Sequence, residues 1–247
     1  MVKLGMNGAE GRMGKRIIAL AQEKPNEFKI VQAFDLETNV GKEAAPSVKI
    51  ENLLPYVEGD KKLFCDVLID FSGPDGAHEC INAAHKSQKA LVIGSTGLTQ
   101  DHMEKIHQTS SKIAIVQSFN MSIGVNVVMA LLELASKKLP KEFGVEMSES
   151  HHVHKKDAPS GTALMLARQI ASSRPLDFAA LSKAIHVVRE AEIIGDHSVT
   201  FAGAEETIEI KHHAKSRDIF AQGALTAAKF ASGKAAGSYS MRDVLGL

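Results

Sequence analysis

The sequence predicts an α/β protein in which a mostly parallel sheet is interrupted by an inserted α+β domain with an open mixed sheet and helices of its own. Three observations predict it. A glycine-spaced turn joins the first strand to the first helix, strands and helices then alternate through residue 116, and from residue 143 short strands dominate until an alanine-rich helix.

Val2-Lys3-Leu4-Gly5-Met6 is a short β-like run, followed by Asn7-Gly8-Ala9-Glu10-Gly11-Arg12-Met13-Gly14 and a helical pattern over residues 15–23. Strand, glycine turn, helix is the context of a Rossmann-like dinucleotide site. Glycines let the backbone approach a pyrophosphate at the helix N-terminus, and the last one lets helix and strand pack closely. The spacing, G-x-x-G-x-x-G, is equally that of a tight strand-helix turn. The next strand, residues 28–34, ends at Asp35, about twenty residues beyond Gly14, where an acidic residue would hydrogen-bond the adenosine ribose. Leu36 and Glu37 follow with no arginine, so NADH is expected to serve at least as well as NADPH, although Arg12 or Lys15 could meet a 2′-phosphate.

Residues 67–72, 90–93 and 112–116 read as further buried strands, with helices over residues 76–87 and 99–110 between them. In such a sheet the ligand lies at the carboxyl ends of the strands. Phe71 and Ser72, Gly94, Ser95 and Thr96, and Ser118, Phe119, Asn120 and Met121 fall on that edge as candidate nicotinamide contacts, each group alone being also consistent with a plain loop.

A helix is expected from Ile123 to Leu139, stopped by Pro140. A strand over residues 143–149 then leads into a stretch rich in histidine and lysine. Further strands are expected over residues 185–189, 192–194, 197–202 and 205–214, without βαβ units. The helical run over residues 217–232, ended by Gly233, resembles the covering helices of the first half. The predicted division is therefore 1–121 with 217–247 as the dinucleotide-binding domain and 122–216 as a substrate-binding and oligomerisation domain, an insertion able to close over a substrate.

Glu149-Ser150-His151-His152-Val153-His154-Lys155-Lys156-Asp157-Ala158-Pro159-Ser160-Gly161-Thr162-Ala163 concentrates the chemistry. Ser160 is placed as an N-cap, which points the N–H groups of Gly161 and Thr162 at a carboxylate or phosphate. Lys155 would add charge to that spot, and His151 and His152 bring imidazoles, the side-chain type whose unperturbed range lies near neutrality. Taken alone the stretch also fits a solvated loop or, through its His-Val-His spacing, a zinc site. No further cysteine or His-Glu-x-x-His pattern accompanies it, so no metal is expected.

Lysine plus arginine and aspartate plus glutamate number 29 each, and 44% of residues are hydrophobic, which excludes the charge signature of nucleic-acid or acidic-membrane partners and leaves a small molecule. The N-terminus lacks an apolar signal core, and the most apolar stretch, residues 123–135, is too short to span a bilayer. Cys65 and Cys80 form no ligand or disulfide framework, so a soluble cytoplasmic protein is expected.

Gly8 to Gly14, the Glu149 to Ala163 stretch, and Ser216-Arg217-Asp218-Ile219-Phe220-Ala221-Gln222-Gly223-Ala224 together resemble the 4-hydroxy-tetrahydrodipicolinate reductase (dihydrodipicolinate reductase) family. The resemblance extends to Ser240-Met241-Arg242-Asp243-Val244-Leu245. Its most specific part is His-His-x-x-Lys before Asp-Ala-Pro-Ser-Gly-Thr-Ala. It implies hydride transfer from NADH or NADPH to a cyclic imine dicarboxylate in lysine and diaminopimelate synthesis. It also implies His151 as general acid, Lys155 as second proton donor and carboxylate partner, His152 as a substrate contact, and Gly161 and Thr162 as carboxylate donors. On the cofactor side it carries Gly8, Ala9, Glu10, Gly11, Arg12 and Met13 onto the pyrophosphate, Asp35 onto the ribose, and residues 94–96 and 118–121 onto the nicotinamide. Ser95 and Ser118-Phe119-Asn120-Met121 depart from the family's common Gly-Thr-Thr-Gly and Ala-Ala-Asn-Phe patterns. A homotetramer through the inserted-domain sheet, at residues 207–212, is implied as well.

Overall fold

The computed structural model describes residues 1–247, which divide into two compact units. The first comprises Met1–Ser122 and Phe220–Gly246, the second Ile123–Ile219. The first unit begins with β1 (Val2–Asn7), α1 (Arg12–Gln22) and β2 (Phe28–Phe34). A short β3 (Glu43–Ala45), β4 (Val48–Glu51) and α2 (Leu54–Val57) follow, then β5 (Val67–Asp70), α3 (Pro74–Ser87), β6 (Ala90–Ile93), α4 (Gln100–Ser110) and β7 (Ala114–Gln117). The second unit holds α5 (Ile123–Lys138), β8 (Gly144–His151), α6 (Gly161–Ser173), α7 (Phe178–Lys183), β9 (His186–Arg189), β10 (Asp196–Ala202) and β11 (Thr207–His213). Most of α8 (Asp218–Ala231), with β12 (Gly237–Tyr239) and α9 (Met241–Leu245), completes the first unit.

The eight strands of the first unit lie in the order β12-β7-β6-β5-β1-β2-β4-β3, parallel throughout except for the β3–β4 pair. Strand order reverses at β1, which pairs with β2 on one side and β5 on the other, so the crevice beyond their carboxyl ends is where such a sheet binds its ligand. The fully buried Leu68 and Ile69 of β5, and Leu91, Val92 and Ile93 of β6, explain the continuous apolar runs that mark these strands. The first helix starts at Arg12 rather than at residue 15, because the Lys15 N–H already bonds the Gly11 carbonyl at 3.0 Å.

The second unit is a four-stranded mixed sheet ordered β11-β10-β8-β9. One face of β8 and β10, carrying Met147, Val199 and Phe201, packs with Leu132 of α5 and Leu166 and Ile170 of α6. Two expectations need correction. A βαβ unit is present here, since β8 and β9 run parallel with α6 and α7 between them. Residues 192–194 are not a strand: Ala191, with φ of +47°, turns the chain, and the Ile193 carbonyl is spent on the His152 N–H at 2.6 Å.

Candidate active site

In the first unit the glycine turn is closed by contacts that tolerate no β-carbon. A β-carbon on Gly14 would overlap the Gly8 carbonyl oxygen and come within 2.9 Å of the Ala9 Cα. Gly8 has φ of +79°, and a side chain there would meet the Phe71 carbonyl at 2.7 Å. The Gly8 and Ala9 N–H groups both donate to the Phe34 carbonyl, at 3.0 and 3.1 Å. Gly11 caps α1 without a side-chain hydrogen bond, and the first turn holds no acidic residue, so the helix start is compatible with an anion.

Asp35 braces this turn. One carboxylate oxygen accepts the Glu10 N–H at 2.8 Å, and the other accepts the Leu36 N–H and the Asn39 amide, each at 2.8 Å. A cavity of about 560 Å³ opens beside it, lined by Gly8, Gly11, Asp35, Leu36, Phe71 and Ser72 among others. Lys15 pairs with Glu10 at 3.0 Å, and Arg12 is exposed.

The strand-end residues behave differently from one another. The Phe71 ring covers Gly94 so closely that a β-carbon there would overlap it. Ser72 and Ser95 turn their hydroxyls to Asp70, at 2.5 and 2.6 Å, and Asn7 donates to the same carboxylate at 2.9 Å. Asp70 is buried, which raises its pKa, and these donors work against the rise. The sequence reading passed over it. Thr96 and Phe119 are exposed, Asn120 is buried, and Met121 is packed in the interior, so a ligand could reach the Phe119 side chain but not that of Met121.

In the second unit, β8 carries Glu149 and His151 two residues apart and therefore onto one face of the sheet. Register places His197 of β10 opposite Glu149, and Arg189 of β9 level with His151. Glu149 is 1% exposed, and His151 and His197 are each 6% exposed. One oxygen of Glu149 accepts the Ser160 N–H and the Arg189 guanidinium, both at 3.0 Å. The other lies 3.6 Å from His151 Nδ1 and 3.7 Å from His197 Nε2, too far for a direct hydrogen bond. Burial pushes the Glu149 carboxyl up, but the bonds from Ser160 and Arg189 outweigh it and leave its pKa below the usual value.

The ligand atoms of Glu149, His151 and His197 lie within 4.8 Å of one another. Neighbouring ligands of a tetrahedral zinc stand about 3.3 Å apart, given bonds of about 2.0–2.1 Å. The first Glu149 oxygen is committed to Ser160 and Arg189, and the guanidinium charge held beside the trio works against a resident zinc ion.

Burial lowers the His151 pKa, Glu149 opposes the fall, and Lys155 and Arg189 deepen it. His197 is pushed down to about 4 by burial, with His151 adding to the effect. An imidazole kept neutral by folding contributes nothing adverse above pH 6.5 and costs stability as the pH falls from 6.5 towards 4, where only the unfolded chain takes up the proton. A loss on the order of 3 kcal/mol between pH 7.5 and pH 4 is expected from His197 alone. Urea unfolding at the two pH values checks this, and His197→Gln should reduce the difference by about that amount, the remainder coming from His151, His212 and the carboxylates.

Ser160 caps α6, its hydroxyl accepting the Ala163 N–H at 3.1 Å, and a β-carbon on Gly161 would point into open space. Lys155 lies 2.8 Å from Asp157. His152 is half-buried with its Nδ1 buried and unpartnered, while His154 is exposed beside Glu192 at 3.4 Å. The structure thus gathers His151 with Glu149, Arg189 and His197, three residues to which the sequence assigned no role. Glu149 stood at the head of the stretch, two positions from His151; nothing in the sequence pointed to His197 or Arg189.

A family model described as dihydrodipicolinate reductase, N-terminus, matches residues 2–121, and one described as dihydrodipicolinate reductase, C-terminus, matches residues 124–245. The chain belongs to the dihydrodipicolinate reductase family. A 4-hydroxy-tetrahydrodipicolinate reductase of Burkholderia thailandensis is 38% identical over 265 residues, covering all of this chain and 98% of its own. A dihydrodipicolinate reductase from Paenisporosarcina sp. TG-14, solved with dipicolinate bound, superposes with a TM-score of 0.82 at 24% identity, over 97% of each chain. GenD2 from gentamicin A biosynthesis, solved with NAD, shares the fold at a TM-score of 0.59 and 12% identity, over 95% of this chain and 86% of its own. Within the dihydrodipicolinate reductase family, then, this chain carries a nicotinamide-dinucleotide fold in its first unit and a mixed sheet in its second.

Proposed function

We propose that this protein is an NAD(P)H-dependent reductase that converts 4-hydroxy-tetrahydrodipicolinate to tetrahydrodipicolinate, with loss of water, on the diaminopimelate route to lysine. The observation that carries the chemistry is His151, a titratable group in a buried setting on a sheet that also brings it a carboxylate and a guanidinium. Membership of the family supplies the substrate class.

The dinucleotide supplies a hydride. The residues present fit it, because the cradle formed by Gly8 and Gly14 is one that a β-carbon would fill, and it lies at the strand-order reversal. Gly8 to Met13 would hold the pyrophosphate, and Asp35 the ribose while bracing the turn. Phe71, Ser72, Gly94, Ser95, Thr96 and residues 118–121 would border the nicotinamide, with Ser72 and Ser95 acting through the Asp70 network that fixes their loops. NADH is the better-suited donor, because Leu36 and Glu37 follow Asp35 and Lys15 is already paired with Glu10.

His151 would deliver a proton to the ring carbon beside the one reduced. Lys155 would leave Asp157 for a substrate carboxylate and serve as a second donor, with His152 contacting substrate. Gly161 and Thr162 would present backbone N–H groups to a carboxylate at the start of α6. A homotetramer through the second-unit sheet is supported by its edge strand β11, which leaves Ile208 exposed. Buried, unpaired Cys65 and Cys80 support a cytoplasmic setting, and no helix is long and apolar enough to cross a membrane.

The test is oxidation of NADH and of NADPH by the purified chain, supplied with the fresh product of the preceding synthase. Turnover with both and kcat/KM for NADH at least equal to that for NADPH are expected. Absence of turnover overturns the function, and a large preference for NADPH overturns the cofactor assignment. Light scattering on the same sample reads the tetramer.

A further inference from the structure

We propose that Glu149 is a positioning residue, which turns the His151 imidazole so that Nδ1 carries its proton towards the carboxylate and Nε2 is left to deliver the other. The inference rests on the proposed reductase reading only for what Nε2 delivers; the dyad itself is argued from the geometry of the second unit.

The two oxygens of Glu149 have different surroundings. The first is fully engaged by Ser160 and Arg189, which fix the carboxylate plane. The second is buried without a hydrogen-bond partner, and so is His151 Nδ1, 3.6 Å away. Two orphaned polar atoms facing each other are satisfied together by a small closure if Nδ1 is the protonated nitrogen, and are left repelling if it is not. His197 Nε2, at 3.7 Å from the same oxygen, has a partner of its own in the Ser160 hydroxyl at 3.3 Å. The carboxylate is therefore matched to His151.

Nε2 of His151 faces Gly195, where a β-carbon would stand 3.0 Å from it. A glycine at that place keeps the delivering nitrogen unobstructed. The ring also makes an edge-to-face contact with His197, centroids 5.2 Å apart.

The charges acting on His151 come from every neighbouring segment: Glu149 on its own strand, Arg189 on β9, His197 on β10, and Lys155 and Asp157 in the loop that follows. His212 of β11 adds to the field at His197. Glu149 and Asp157 favour the imidazolium, whereas Arg189 and Lys155 disfavour it. A carboxylate that holds Nδ1–H stabilises the charged ring while stating which nitrogen gives up the proton.

The experiment is a nitrogen-15 NMR titration of the His151 imidazole in the whole chain. In the wild type the neutral ring should be protonated at Nδ1; protonation at Nε2 overturns the proposal without any variant being needed. In Glu149→Gln the Nδ1–H preference should vanish and the His151 pKa should drop by about one unit, the low end for removal of an adjacent opposite charge. Turnover should fall about 10-fold with the KM for cofactor unchanged, and the pH at which activity declines on the alkaline side should move down by the same unit. Glu149→Asp should restore part of both. An unchanged tautomer and pKa in Glu149→Gln would reduce Glu149 to a structural role. Because the titration needs no substrate, it reads the dyad even if the reductase assay fails.

Discussion

His151→Gln is expected to lower turnover by about 10²-fold or more while the dissociation constants for NADH and NADPH stay within about twofold of wild type. Glutamine approximates the size and polarity of histidine, so the buried site beside Glu149 and His197 remains filled, but it has no proton to give near neutral pH. The loss therefore isolates proton delivery from packing. Cofactor contacts are assigned to the first unit, around Gly8, Asp35 and Phe71, whereas His151 stands at the end of β8 in the second. Steady-state kinetics, with cofactor binding followed by nicotinamide fluorescence, separates the two. Full turnover in the variant would remove His151 from the chemistry and assign proton delivery to another group.

Gly14→Ala should damage the other unit. Its new methyl would be driven into the Gly8 carbonyl and against the Ala9 Cα, both backbone atoms with no flexible end to give way. The first turn of α1 must then lift off the Gly8–Gly11 turn. Overpacking of this kind costs about 1–3 kcal/mol, and the lifted turn no longer matches a pyrophosphate, so NADH affinity should fall by at least about tenfold, the equivalent of about 1.4 kcal/mol. Gly233→Ala is the control: nothing lies within 4 Å of a β-carbon there, and both quantities should be unchanged. Calorimetric titration with NADH and urea unfolding of the two variants give the comparison. Wild-type affinity in Gly14→Ala would mean that the turn does not hold the phosphates.

Much of this was legible because it is local. The Gly8-to-Gly14 turn, the apolar runs of β5 and β6, and the Ser160 cap are each written in a handful of consecutive residues, and local sterics and hydrogen bonding decide them. Residues 40–62 were harder: β3, β4 and α2 are three or four residues long, shorter than any periodic pattern can mark. The site in the second unit was half legible. The histidines and Lys155 announce themselves by type, but Glu149 looks like any strand glutamate until β10 sets His197 against it and β9 brings Arg189 level with His151. Those are facts of register, which depend on how distant segments align and have no signature in either segment alone. The Asp70 network was missed for the same reason, since its donors Asn7 and Ser95 come from the ends of two other strands.

The pairing of β8 with β10 has a consequence for how this protein can fail. Met147 faces Val199, and two residues along the same strands Glu149 faces His197, so the greasy pair and the chemical pair are cut from one ruler. A slip of a single residue would bring Ser198 and Thr200 to the helix side and turn Val199 and Phe201 to the opposite face. Such a chain would lose its core at the same moment as its acid. The sheet thus proofreads the site: a molecule with Glu149 in the wrong company does not persist as a sluggish catalyst but is discarded as an unfolded one.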